Sequence, residues 1–76
     1  MALTDDVKRL IEEALPGSEV EVIDEGGGDH LRVIVAAPQF AGQSRIDQHR
    51  LVNEALAEPL RDGTIHELRI KTKGSE

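Results

Sequence analysis

The chain has no cysteine, tryptophan or tyrosine, and a single phenylalanine, Phe40. Without Cys it can form no disulfide framework, no thiol nucleophile, and no iron–sulfur or Cys-based zinc site of its own. One aromatic residue provides no row of stacking platforms for single-stranded nucleic acid. No segment approaches the roughly 18 apolar residues of a membrane-spanning helix, so no membrane partner is expected. The opening Met1-Ala-Leu-Thr-Asp-Asp lacks the basic and then apolar regions of a secretory signal, which sets cytoplasmic as the expected location. With 76 residues, one domain over 1–76 is expected, since two cores do not fit.

Positive charge is also in short supply: nine Lys and Arg face fifteen Asp and Glu, giving a net charge of −6. The deficit is local. Residues 1–29 carry nine acids and two bases, whereas the remainder is close to neutral. Non-specific binding to nucleic acid is therefore disfavoured, and any such role is confined to a basic patch in the second part. Arg45, Arg50, Arg69, Lys71 and Lys73 are the residues that could form one.

Periodicity predicts five elements. A helix is expected over Asp5 to Leu15, capped by Thr4, with Val7, Leu10, Ile11, Ala14 and Leu15 on one side and Pro16-Gly17 ending it. Glu19 to Asp24 alternates as a strand, with Val20 and Val22 facing one way. After the break at Glu25 to Asp29, the nearly continuous apolar run Leu31 to Ala37 reads as a second, more central strand, paired in a hairpin across a five- or six-residue loop. Pro38 to Gln43 is a turn carrying Phe40 and Gly42. Ser44 then caps a second helix running to about Leu60, its apolar side formed by Ile46, His49, Leu51, Val52, Ala55, Leu56 and Leu60. Ile65 to Thr72 forms the last strand, with His66, Leu68 and Ile70 on the inner side, followed by a loose tail from Lys73. The expected fold is α+β: two helices over one face of a three-stranded mixed sheet.

No self-contained active site emerges. Gly26-Gly27-Gly28 precedes a strand, so it fits neither a P-loop nor a dinucleotide fingerprint, both of which open a helix. No His-Glu-x-x-His or paired-carboxylate motif occurs. His49 sits on the helix stripe as a packing residue. His66, at the start of a strand on its apolar side, is either a half-buried structural imidazole or a metal ligand or proton carrier. His30, directly after the glycines, is either a polar hairpin end or a ligand on a mobile arm. Together His30 and His66 leave a metal under-coordinated, so such a half-site makes sense when a partner brings the remaining ligands.

The stretches Gly27-Gly28-Asp29-His30-Leu31, Phe40-x-Gly42-x-Ser44, Gln48-His49-Arg50-Leu51-Val52-Asn53-x-Ala55-Leu56 and Ile65-His66-Glu67-Leu68-x-Ile70-Lys71-Thr72 resemble the BolA family in order and over almost the whole chain. The resemblance implies a helix–strand–strand–helix–strand core of type II KH-like topology, with a short extra helical turn before the second long helix. It implies no enzyme but a partner of monothiol glutaredoxins, sharing a [2Fe–2S] cluster with the glutaredoxin Cys and glutathione, and no cofactor for the isolated chain. His66 matches the family's C-terminal-strand ligand. His30 is the weaker second ligand, and Asp29 a lesser stand-in. Many members are labelled transcriptional regulators, so DNA binding through the five basic residues is the alternative. The loop Phe40-Ala-Gly42-Gln has one glycine where a KH loop has two, and the tail lacks the family's usual proline.

Overall fold

The computed structural model describes residues 3–73 of the chain. Helix α1 (Leu3–Ala14) leads into strand β1 (Glu19–Gly26), a tight turn and strand β2 (His30–Ala36). A single 3₁₀ turn (Pro38–Phe40) precedes helix α2 (Arg45–Ala55), the short helix α3 (Ala57–Arg61) and strand β3 (Glu67–Lys73). The sheet order is β1-β2-β3, with β1 antiparallel to β2 and β2 parallel to β3. The fold is thus α+β with a mixed sheet, and the apolar second strand is its centre. Parallel pairing of β2 and β3 requires the long crossover that the 3₁₀ turn, α2 and α3 supply.

Alternation decides which sheet face is covered. Leu31, Val33 and Val35 are buried while Arg32 is exposed, and the register sets Val33 between Val22 and Ile70. Helix α1 lies over β1 and contributes Val7 and Ile11, with Leu15 just beyond its end; α2 lies over β3 and contributes Val52, followed by Leu56. Phe40, fully buried, fills the space at the start of the crossover. Ser44 Oγ accepts from the backbone N–H of Asp47 at 3.2 Å and caps α2, after a turn at Gly42 with positive φ (78°).

Three expectations about the elements require correction. Thr4 does not cap α1, because the helix already includes Leu3. The hairpin loop is shorter than five residues, since β1 continues through Gly26 across a register irregularity after Asp24. The second helix is two: it breaks at Leu56 (φ −108°, ψ 22°), and Pro59 sits in α3. Proline cannot donate to the Ala55 carbonyl and crowds it, so one continuous helix is not available; as the third residue of a new helix its missing N–H costs little.

The apolar stripe of α2 is also rotated from the expected one. Ile46 is 72% exposed, whereas Gln48 is only 8% exposed. The buried line runs Gln48, Val52, Leu56, at helical spacing, and the first turn from Arg45 to Asp47 faces solvent. Lys73 is the last residue of β3; the rest of the tail expected to be loose lies outside the described residues.

Candidate metal-ligand corner at the β1–β2 turn

The site begins with a turn. Asp24 Oδ1 accepts from the backbone N–H of Gly26 at 2.9 Å and of Gly28 at 3.2 Å, an Asx-type loop that curls the chain back on itself. Gly27 and Gly28 have φ of 72° and 81°, conformations that other residues adopt at a cost of about 1–2 kcal/mol. A Cβ at Gly27 would also stand 3.2 Å from Asp29 Oδ1. The glycines therefore leave room for the carboxylate as well as making the turn.

Asp29 then joins two distant segments. Its carbonyl oxygen accepts from the N–H of His66 at 2.9 Å and of Glu67 at 3.2 Å, which seats the start of β3 beside the turn. The parallel register pairs His30 with Glu67 immediately afterwards. These backbone contacts fix three side chains around one point.

The side chains meet closely. His66 Nδ1 lies 2.6 Å from Asp29 Oδ2, a separation that requires a proton between them. His30 Nε2 is 3.7 Å from Asp29 Oδ1, and His30 Nδ1 is 3.3 Å from Glu67 Oε1. Asp29, His30 and His66 each offer a ligand atom within 4.8 Å of the other two. Because Asp29 holds Nδ1, the second nitrogen of His66 carries a free lone pair in the neutral ring, a carboxylate–histidine arrangement familiar from metal sites.

His66 departs from its sequence-based placement. It is not half-buried against the core: its side chain is 64% exposed. β3 starts only at Glu67, and His66 occupies a bend before it, so strand parity does not extend back to it. The buried residue there is Ile65, whose N–H donates to the Pro59 carbonyl at 3.0 Å.

The other singled-out residues fall elsewhere. Half-buried His49 belongs to α2 and lines two shallow clefts, one with Ile46, Arg50 and Asn53, the other with Arg45, Ile70 and Lys71. Arg45 and Lys71 therefore do come together. Arg69 instead lies beside Glu25 and Glu67, at 3.9 and 3.8 Å, and Lys73 borders a separate cleft with Glu19 and Glu21. Sequence spacing alone does not single out Glu67, next to His66, and it places Asp29 below His30. The signal available for both is adjacency: each carboxylate directly flanks a candidate histidine.

Fold and site together define a small α+β module that presents two imidazoles and a carboxylate at one exposed corner. The chain belongs to the BolA family: residues 11–76 match the family described as BolA-like protein. It is similar to BolA-like protein 1 of Mus musculus, 37% identical over 75 residues that cover 88% of this chain and 54% of the relative. The chain thus spans about half the length of that relative. Among solved structures, a bolA protein homologue from Coxiella burnetii is 41% identical with a TM-score of 0.73, covering 95% of this chain and 90% of that one. The BolA domain of SufE1 from Arabidopsis thaliana is 27% identical with a TM-score of 0.82, covering 93% and 89%.

Proposed function

We propose that this protein is a non-enzymatic partner of a monothiol glutaredoxin, acting in iron–sulfur assembly, trafficking or iron and redox regulation in the cytoplasm. In this reading a [2Fe–2S] cluster bridges the two proteins. Membership of the BolA family supports it, and the observation that carries it is the exposed His66 imidazole held through Nδ1 by Asp29.

The donor set fits such a cluster as a half-site. Imidazole replaces thiolate on one iron in known clusters, and the chain has no thiolate to offer. Thiolates from the glutaredoxin Cys and from glutathione then hold the remaining positions. When bound, the cluster supplies a one-electron couple and exchangeable iron. His66 presents Nε2 as its ligand atom, Asp29 keeps the ring in that tautomer, and His30 stands close enough to be the second ligand.

Titrating the protein into cluster-loaded monothiol glutaredoxin tests this reading. A 1:1 complex with an altered visible spectrum is expected, and His66→Ala changes that spectrum. Failure to bind any monothiol glutaredoxin overturns the proposal.

The second reading is a DNA-binding transcriptional regulator of type II KH-like topology that uses the basic residues near α2 and β3. Arg45 and Lys71 beside His49 favour it locally. The acidic neighbours of Arg69 and the net charge of −6 weigh against it. Duplex DNA that shifts the amides of the start of α2, with a steep salt dependence, would favour this second reading.

A further inference from the structure

The corner at Asp29 has a property that the shared cluster does not require: its side chains converge on one point within a single chain. We propose that the free protein binds one zinc ion unaided through Asp29, His30 and His66, and that zinc and a partner's cluster exclude one another. The exclusion rests on the functional reading above; the zinc site does not.

Tetrahedral zinc with ligands at about 2.0–2.1 Å needs its ligand atoms about 3.3–3.4 Å apart. One ligand atom from each of Asp29, His30 and His66 already lies within 4.8 Å of the other two. Rotation of the two exposed imidazoles and of the carboxylate, which gives the metal one oxygen, closes that spacing to the tetrahedral value. The backbone beneath them does not have to move, because the Asp29 carbonyl already binds the His66 and Glu67 amides.

Glu67 completes the arrangement. Its Oε1 lies 3.3 Å from His30 Nδ1, so it takes the proton side of that ring and leaves Nε2 for the metal. Imidazole nitrogen with a carboxylate oxygen is a donor set that zinc accepts, and water occupies the fourth position. Asp24 adds a carboxylate to the same turn, while Glu25 is taken up by Arg32 at 2.9 Å and Arg69 at 3.9 Å, so the charge that favours zinc comes from Asp24, Asp29 and Glu67.

Exclusion follows from the ring's protons. A neutral imidazole carries one proton on two nitrogens. Zinc on His66 Nδ1 displaces the hydrogen bond to Asp29 and sends that proton to Nε2. Nε2 is the atom the proposed cluster would take, so a ring that keeps its proton serves one metal at a time.

Calorimetry and imidazole NMR on the metal-free protein, with zinc sulfate as the probe, test both parts. Zinc should bind 1:1 and shift the His30 and His66 rings, leaving His49 in place. Asp29→Asn and His66→Ala should each weaken binding tenfold or more, while His49→Ala binds as the parent does. Zinc saturation should block the spectral change with cluster-loaded glutaredoxin, and a chelator should restore it. Absence of 1:1 binding, or binding that survives His66→Ala, overturns the zinc site whatever the glutaredoxin result. Zinc bound at these residues alongside an unchanged cluster complex overturns the exclusion. Zinc bound by a chain that engages no glutaredoxin upholds the site and overturns the functional reading.

Discussion

Thr72 Oγ1 donates to Gln48 Oε1 at 2.6 Å, tying the end of β3 to the middle of α2. The same Gln48 side chain donates through Nε2 to the carbonyl of Phe40 at 3.3 Å and of Gln43 at 3.0 Å. One buried amide thereby satisfies groups from the 3₁₀ turn, the loop before α2 and the last strand. It holds the crossover against the strand whose beginning carries the metal-ligand corner.

Replacing Gln48 by Ala removes three hydrogen bonds and leaves the Thr72 hydroxyl without its acceptor, while the Phe40 carbonyl keeps the Gln43 N–H at 3.0 Å. Urea unfolding should show a loss of about 2 kcal/mol, since each lost hydrogen bond contributes about 0.5–1.5 kcal/mol. Thr72→Val should lose about 1 kcal/mol. The double variant should lose less than the sum, because both changes remove one shared bond.

Ile46 and Leu56 have opposite weights despite similar chemistry. Ile46→Ser should alter stability by no more than about 0.5 kcal/mol, as expected for an exposed position. Leu56→Ala, at a fully buried position, should cost about 2–5 kcal/mol. Thermal melts of the two variants check this, and equal losses would place the α2 stripe where the sequence alone put it.

Asp62 contributes a pH dependence of known sign. The Thr64 hydroxyl donates to its Oδ1 at 2.6 Å and the Thr64 N–H at 2.9 Å, and these bonds hold its carboxyl below the usual aspartate value. The folded state thus favours the ionised form. Its contribution to stability is present above the ordinary aspartate range and fades as pH falls through the lowered folded value. NMR titration should place Asp62 below a model aspartate, and Thr64→Ala should move it back up. A midpoint unchanged by Thr64→Ala would exclude the hydroxyl as the cause.

The fold was largely readable because its elements are strongly patterned. Alternation in β1, the apolar run of β2 and the cap at Ser44 depend on local spacing, and the structure has all three. The readings that failed depended on geometry beyond local spacing. Alternation gives His66 the parity of a strand that begins one residue later, which hides its exposure. Gln48 lies at perfect spacing with Val52 and Leu56, but a rule that buries apolar residues passes over a polar side chain whose partners are distant in sequence. Asp29 was legible only as the neighbour of His30, because its carbonyl finds its partners in a segment that arrives after two helices. Nothing local announces that meeting.

The parallel pairing of β2 with β3 has a consequence for the order in which the site comes into being. Asp29 and His30 leave the ribosome well before His66 and Glu67, and the whole crossover must close before β3 can dock beside β2. Closing so long a loop is the slow kind of step in folding, because its entropy is lost before any contact rewards it. The early half of the chain can form a hairpin, yet it holds only one of the two imidazoles. The ligand cluster is therefore a certificate of completed folding, and a metal that needs all three side chains finds them only on a finished molecule.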